Sequence, residues 1–132
     1  MILLRLTVII IVGLLCACGV TSSSEASTRR LIEADSGRSV ELHPGDKLEV
    51  TLPANPTTGF QWEVSAGNTA ILQSNGEAEF QPSSSATGSG GSTTFHFQAI
   101  GPGQMQLKLI YHRPFEKDIP PVQTFEVNII VR

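Results

Sequence analysis

The feature that most constrains this chain is a two-residue alternation of apolar side chains, cut at short intervals by glycine and proline. Leu48, Val50 and Leu52 alternate with Lys47, Glu49 and Thr51. Phe60, Trp62 and Val64 share a face opposite Gln61 and Glu63. Phe95, Phe97 and Ala99 follow the same rule, as do Met105, Leu107, Leu109 and Tyr111, and then Phe125, Val127, Ile129 and Val131. Val40 and Leu42 give a weaker version, and Ile71-Leu72 and Glu77–Gln81 are short candidates. A period of two means half-buried strands, and no segment shows a helical period. Pro44-Gly45-Asp46 and Gly101-Pro102-Gly103 mark turns. About seven short strands in about 100 residues predict an all-β, antiparallel sandwich of immunoglobulin-like type. Trp62, the single tryptophan, is expected in its core.

In such a sandwich, alternate connections gather at one end. Counted from the strand at Ser39, this brings three segments together. The first is Asn55-Pro56-Thr57-Thr58-Gly59-Phe60, between the second and third strands. Pro56 fixes its own φ and biases Asn55 toward an extended backbone, while Gly59 permits a positive φ. The segment reads either as a plain connection or as a stiff, uncharged finger suited to insertion into another protein's cleft. The second segment is the polar loop from Pro82 to Ser92, with Gly88, Gly90 and Gly91 at its end. Lacking side chains, those glycines leave backbone groups available to an extended partner strand. No Lys-Ser/Thr pair follows them, so this is not a phosphate loop. The third segment begins at Arg113-Pro114-Phe115. It carries the ingredients of an interface anchor. The alternative reading tucks Phe115 under the loop and pairs Arg113 with Glu116.

Composition narrows the function. Charged residues make up 16% of the chain, the net charge is −3, and no basic run occurs, which argues against nucleic acid as a partner. His43, His96 and His112 are scattered, and no spacing of histidines or acids suggests a metal, a cofactor or a catalytic site. The chain therefore does not read as an enzyme.

The two cysteines, Cys16 and Cys18, both lie near the start, so the body has no disulfide. Arg5 precedes an apolar run from Leu6 to Leu15, too short for a comfortable membrane span. Leu15-Cys16-Ala17-Cys18 resembles a bacterial lipobox, with Cys18 as the lipidated residue. Gly19 follows it, and the absence of aspartate there resembles the outer-membrane-sorted pattern. The expected organisation is a lipoprotein signal peptide over 1–17, a lipidated, flexible tether over 18–35, and one folded domain over 36–132. Leu31-Ile32 is the earliest candidate for an edge strand. The expected location is the bacterial envelope, lipid-anchored to the outer membrane and facing the periplasm, or secreted without lipidation. A monomer is expected.

The three loop segments together resemble the chagasin family of cysteine-peptidase inhibitors. The matching residues are Asn55-Pro56-Thr57-Thr58-Gly59-Phe60, Gly88-x-Gly90-Gly91 and Arg113-Pro114-Phe115, in the family's order. The resemblance implies a reversible, tight-binding inhibitor of papain-like cysteine peptidases. It implies that the finger enters the cleft and the flanking loops grip its sides, with no cofactor. The family often has tryptophan after Arg-Pro, where this chain has Phe115, a smaller apolar contact without an indole N–H. The competing reading is a lipid-anchored envelope module that uses the same edge to bind a non-peptidase protein or a glycan.

Overall fold

The computed structural model describes Gly19, Ser23 and residues 25–132. The segment expected to be an export signal, with Cys16 and Cys18, lies outside the described residues. The alternating runs become strands: β1 (Thr28–Ile32), β2 (Ser39–Leu42), β3 (Lys47–Ala54), β4 (Gln61–Ala66), β5 (Leu72–Ser74), β6 (Glu79–Pro82), β7 (Gly91–Ala99), β8 (Gly103–His112) and β9 (Gln123–Val131). Helical structure among the described residues is confined to two three-residue 3-10 turns, Glu33–Asp35 and Pro56–Thr58.

One sheet runs β1-β3-β7, with β5 and β6 both on the far edge of β7. The other runs β2-β9-β8-β4. The side chains expected to face inward meet between them. Leu42, Leu48, Val50, Leu52, Leu109 and Ile129 are fully buried, and Trp62, Phe97, Phe125 and Val127 join the same cluster. Burying a side chain of this size is worth about 1.5–3 kcal/mol each, so this layer carries the stability of a body without a disulfide.

Four expectations change. First, the fold begins before residue 36. β1 pairs with β3 from Thr28↔Lys47 to Ile32↔Thr51, and Leu31 is buried. An edge strand with a single inward residue has no alternation to read, so this part of the 18–35 segment resembled tether. Second, the sandwich is not wholly antiparallel. β1–β3 and β2–β9 are parallel. The chain drops into the other sheet as β2 before returning as β3, so β1 and β3 run the same way. Third, there are nine strands because β1 is added and residues 71–82 form two short pieces against the same neighbour, β7. That break leaves the sense of direction unchanged, so the three loops still reach one end. Fourth, Val64 is half-exposed, not core: the register slips between Val64 and Ala66, on an edge strand.

The ladders fix the two poles. The row Ala54–Gly91–Pro82 closes one sheet at the loop end, and Gln61–His112 and Tyr111–Gln123 close the other there. Lys47, Thr28 and Val131 lie at the opposite pole.

Candidate functional site

Two strands that belong to different sheets, β3 and β4, are joined by the finger, and its Thr57, Thr58 and Gly59 N–H groups all donate within it. Asn55 is extended (φ −138°, ψ 91°), as the following proline requires. Its side-chain oxygen accepts the Thr57 N–H at 3.3 Å and the Thr57 hydroxyl at 2.5 Å. Its carbonyl accepts the Thr58 N–H at 3.2 Å and the Thr58 hydroxyl at 2.7 Å. The Gly59 N–H donates to the Pro56 carbonyl at 3.0 Å. Gly59 closes the turn at φ 81°, a region that penalises any side chain. Pro56, Thr57 and Thr58 are exposed at the tip.

An aromatic stack supports the base. The Tyr111 hydroxyl accepts the Asn55 N–H at 3.0 Å, and the Trp62 indole N–H donates to the Pro53 carbonyl at 2.8 Å. The Tyr111 ring lies 5.0 Å from Trp62 and 5.4 Å from Phe60 between centroids. Trp62 is thus core, as expected, and it also ties the strand leading into the finger to the opposite sheet. Tyr111 is a site residue that the sequence reading missed. Its signal was present: a phenol at the last inward position of a strand needs a partner for its hydroxyl.

The third loop touches the finger directly. Arg113 Nε donates to the Thr58 carbonyl at 3.0 Å, Nη1 to Glu116 Oε1 at 2.9 Å, and the guanidinium carbon sits 4.3 Å above the Phe60 ring. Phe115 is 71% exposed, so it does not tuck under the loop, although the Arg113–Glu116 pair does form. A Cβ placed on Gly59 would stand 3.0 Å from Phe115 Cε1, which shows how closely the two loops abut. Ile119 and Val122, further along the same connection, are also more than half-exposed.

The glycine segment divides in two. Gly91 belongs to β7, paired with Ala54 on one side and Pro82 on the other, and a Cβ there would collide with the Gln81 carbonyl. Its lack of a side chain is needed for strand packing, so its backbone is not spare. The Gly90 carbonyl accepts the Ser83 N–H at 2.9 Å and the Ser83 hydroxyl at 2.6 Å. Gly88 stands in open space, with Asn55 Nδ2 3.5 Å from its carbonyl. The open backbone is thus narrower than the sequence suggested and lies around Gly88, since the Ser89 N–H already donates to the Ala86 carbonyl at 3.2 Å.

The histidines each face acids. His112 Nε2 is 2.7 Å from Glu63 Oε2, His43 Nδ1 is 3.5 Å from Asp46, and His96 lies between Glu49 and Glu79 at 3.8 and 3.7 Å. Among the described residues, no group of three or more His, Cys, Asp or Glu is placed to hold a metal. The tip hydroxyls donate back to Asn55, not to a base. A β-sandwich with a stiff, uncharged finger braced by two neighbouring loops defines a protein that acts by docking onto another.

The chain belongs to the chagasin family of peptidase inhibitors. Residues 41–129 match the family described as Chagasin family peptidase inhibitor I42. Chagasin of Trypanosoma cruzi is 30% identical over 93 residues, covering 67% of this chain and 84% of that protein. The crystal structure of the cysteine protease inhibitor EhICP2 from Entamoeba histolytica shares the fold with a TM-score of 0.73 at 21% identity, over 82% of this chain and 98% of that one. PbICP-C, in a complex with falcipain-2, shares it with a TM-score of 0.52 at 17% identity, over 81% and 100% of the two chains. Members of the family are protease inhibitors, not enzymes.

Proposed function

We propose that this domain inhibits papain-like cysteine peptidases reversibly, by filling the active-site cleft with the finger Asn55–Phe60. Arg113, Pro114 and Phe115 grip one side of the cleft, and the loop backbone around Gly88, ahead of the paired Gly91, grips the other. The observation that carries this reading is the bond from Arg113 Nε to the Thr58 carbonyl at 3.0 Å. It joins two separate motifs into one rim before any partner arrives. A finger already held by its own hydrogen bonds loses little conformational entropy on docking. Three loops of this size suit an enzyme–inhibitor interface of about 1,600 Å² in total. Titration of papain with the purified protein tests the reading. Stoichiometric loss of peptidase activity is the expected result, and no effect on several papain-like enzymes would favour the envelope module instead.

The envelope address belongs to the same proposal. Residues 1–17 act as an export signal, Cys18 carries lipid, and the protein faces the periplasm as an anchored monomer. Its support is the apolar run, the Ala17-Cys18 step and Gly19 after it. The fold suits such an anchor, because β1 begins beside Lys47 at the pole away from the finger. Labelling with radioactive palmitate is expected for the native chain and absent from a Cys18→Ser variant. Equal labelling of both would remove Cys18 from the proposal.

A further inference from the structure

An inhibitor that enters a peptidase cleft presents peptide bonds to a nucleophile, so something must keep them from being cut. We propose that Arg113 is a positioning residue that protects the Thr58–Gly59 bond from cleavage. This rests on the reading of the finger as the cleft-filling element.

Cleavage by a cysteine peptidase has geometric demands. The carbonyl carbon must come within about 3–3.5 Å of the sulfur in an aligned pose. The carbonyl oxygen must turn toward donors about 2.7–3.1 Å from the oxyanion position. The thiolate then adds to the Thr58 carbonyl carbon. The C–N bond to Gly59 breaks as the imidazolium gives its proton to the leaving amine, and water afterwards releases the Thr58 carboxylate and frees the thiol.

The finger opposes each demand. Pro56–Thr58 is a 3-10 turn, not an extended strand, and Gly59 follows at φ 81°. The N–H groups of Thr58 and Gly59 both donate inward, to the carbonyls of Asn55 and Pro56. The oxygen that would have to face the oxyanion donors already accepts from Arg113 Nε, on the inhibitor's own side. Arg113 is held in turn by Glu116 Oε1 at 2.9 Å and by the face of Phe60 at 4.3 Å, so it cannot swing away without losing both contacts. Releasing the Thr58 carbonyl is therefore the step that separates an inhibitor from a substrate.

The test compares side chains of matched length. Methionine places a methyl group at the depth of Arg Nε, and glutamine places an N–H donor there. The native protein, Arg113→Met and Arg113→Gln are each incubated with a catalytic amount of papain and followed by mass spectrometry, with thermal melting as a check on folding. The native protein is expected to inhibit and stay intact. Arg113→Met is expected to be cut between Thr58 and Gly59 at least tenfold faster, with inhibition fading as the cut proceeds. Arg113→Gln is expected to keep most of the protection. Glu116→Gln, which loosens the guanidinium without removing it, should fall between native and Met. An uncut Arg113→Met that merely inhibits less would overturn the proposal, as would glutamine being cut as fast as methionine. A native protein without effect on papain would instead overturn the inhibitor reading, and this inference with it.

Discussion

Strand β3 has a turn at each end, and the two make an instructive pair. At one end, His43–Asp46 leads into the strand; at the other, the finger leads out of it. Each is organised by one short side chain accepting two hydrogen bonds. Asp46 is buried, with 6% of its surface exposed, and takes the N–H groups of His43 at 2.8 Å and Ser27 at 2.9 Å. Those two bonds hold its carboxyl below the ordinary aspartate range, against the opposing effect of burial. Asn55 does the same work at the rim without a charge. The difference follows from what each end must do. The lower turn never leaves its environment, so a carboxylate with two donors is the stronger clamp. On the proposed function the rim sheds water on docking, and desolvating an amide costs far less than desolvating a carboxylate.

If that division holds, substitutions at the two ends should separate cleanly in their effects. The largest shift expected at the rim comes from Phe115→Ala. Removal of the most exposed aromatic should weaken inhibition by about 2 kcal/mol, about 30-fold, with an unchanged melting temperature. Loss of the fold instead would make Phe115 a core residue. At the lower turn, Asp46→Ala strands two backbone donors and should cost about 2 kcal/mol of stability, on the order of 10 °C in melting temperature. The inhibition constant of the folded fraction should not move. A change in inhibition there would break the comparison.

Acid sharpens the same contrast. The folded pKa of Asp46 is lowered from 3.8, so the unfolded chain takes up its proton first as the pH falls. The stability contributed by Asp46 is complete above its unfolded value and is lost as the pH drops through the lowered folded value. Melting temperature should therefore fall below about pH 4 in the native protein and less steeply in Asp46→Asn. Equal slopes would mean that other carboxylates dominate.

A smaller effect is expected at Gly59. Valine there meets both a positive φ and the Phe115 ring, so Gly59→Val should cost about 1–2 kcal/mol of finger geometry and weaken inhibition. Unaltered inhibition would show that the finger does not need that backbone freedom.

How much of this was legible beforehand differs between core and rim. The inward faces of β3, β7, β8 and β9 were readable because burial on one face of a strand leaves period two in the sequence. β1 was not, since its pairing is backbone to backbone and only Leu31 must be apolar. At the rim, the parity of strands was enough to bring Thr58, Gly88 and Phe115 to one end. The internal bonds were another matter. Nothing in the composition of the Arg113 loop says that the guanidinium turns back onto the Thr58 carbonyl, and nothing in a glycine cluster says that Gly91 is consumed by strand packing against Gln81. Such contacts join residues far apart in the chain and leave no periodic trace.

Tyr111→Phe is the finest probe of the comparison, because Tyr111 belongs to both regions. Its ring packs against the core beside Trp62, and its hydroxyl holds the finger at Asn55. Phenylalanine keeps the ring and deletes one hydrogen bond, a loss of about 1 kcal/mol when the donor is left without a partner. If the finger's stiffness matters for docking, that loss should divide between a drop of a few degrees in melting temperature and a weakening of inhibition of about fivefold at most. A fall in melting temperature with unchanged inhibition would mean that the finger's own bonds, from Asn55 to Gly59, keep its shape without help from below. Weaker inhibition at constant melting temperature would place the hydroxyl's whole contribution at the rim, and would make the base of the finger, like its tip, part of the docking machinery and not of the core.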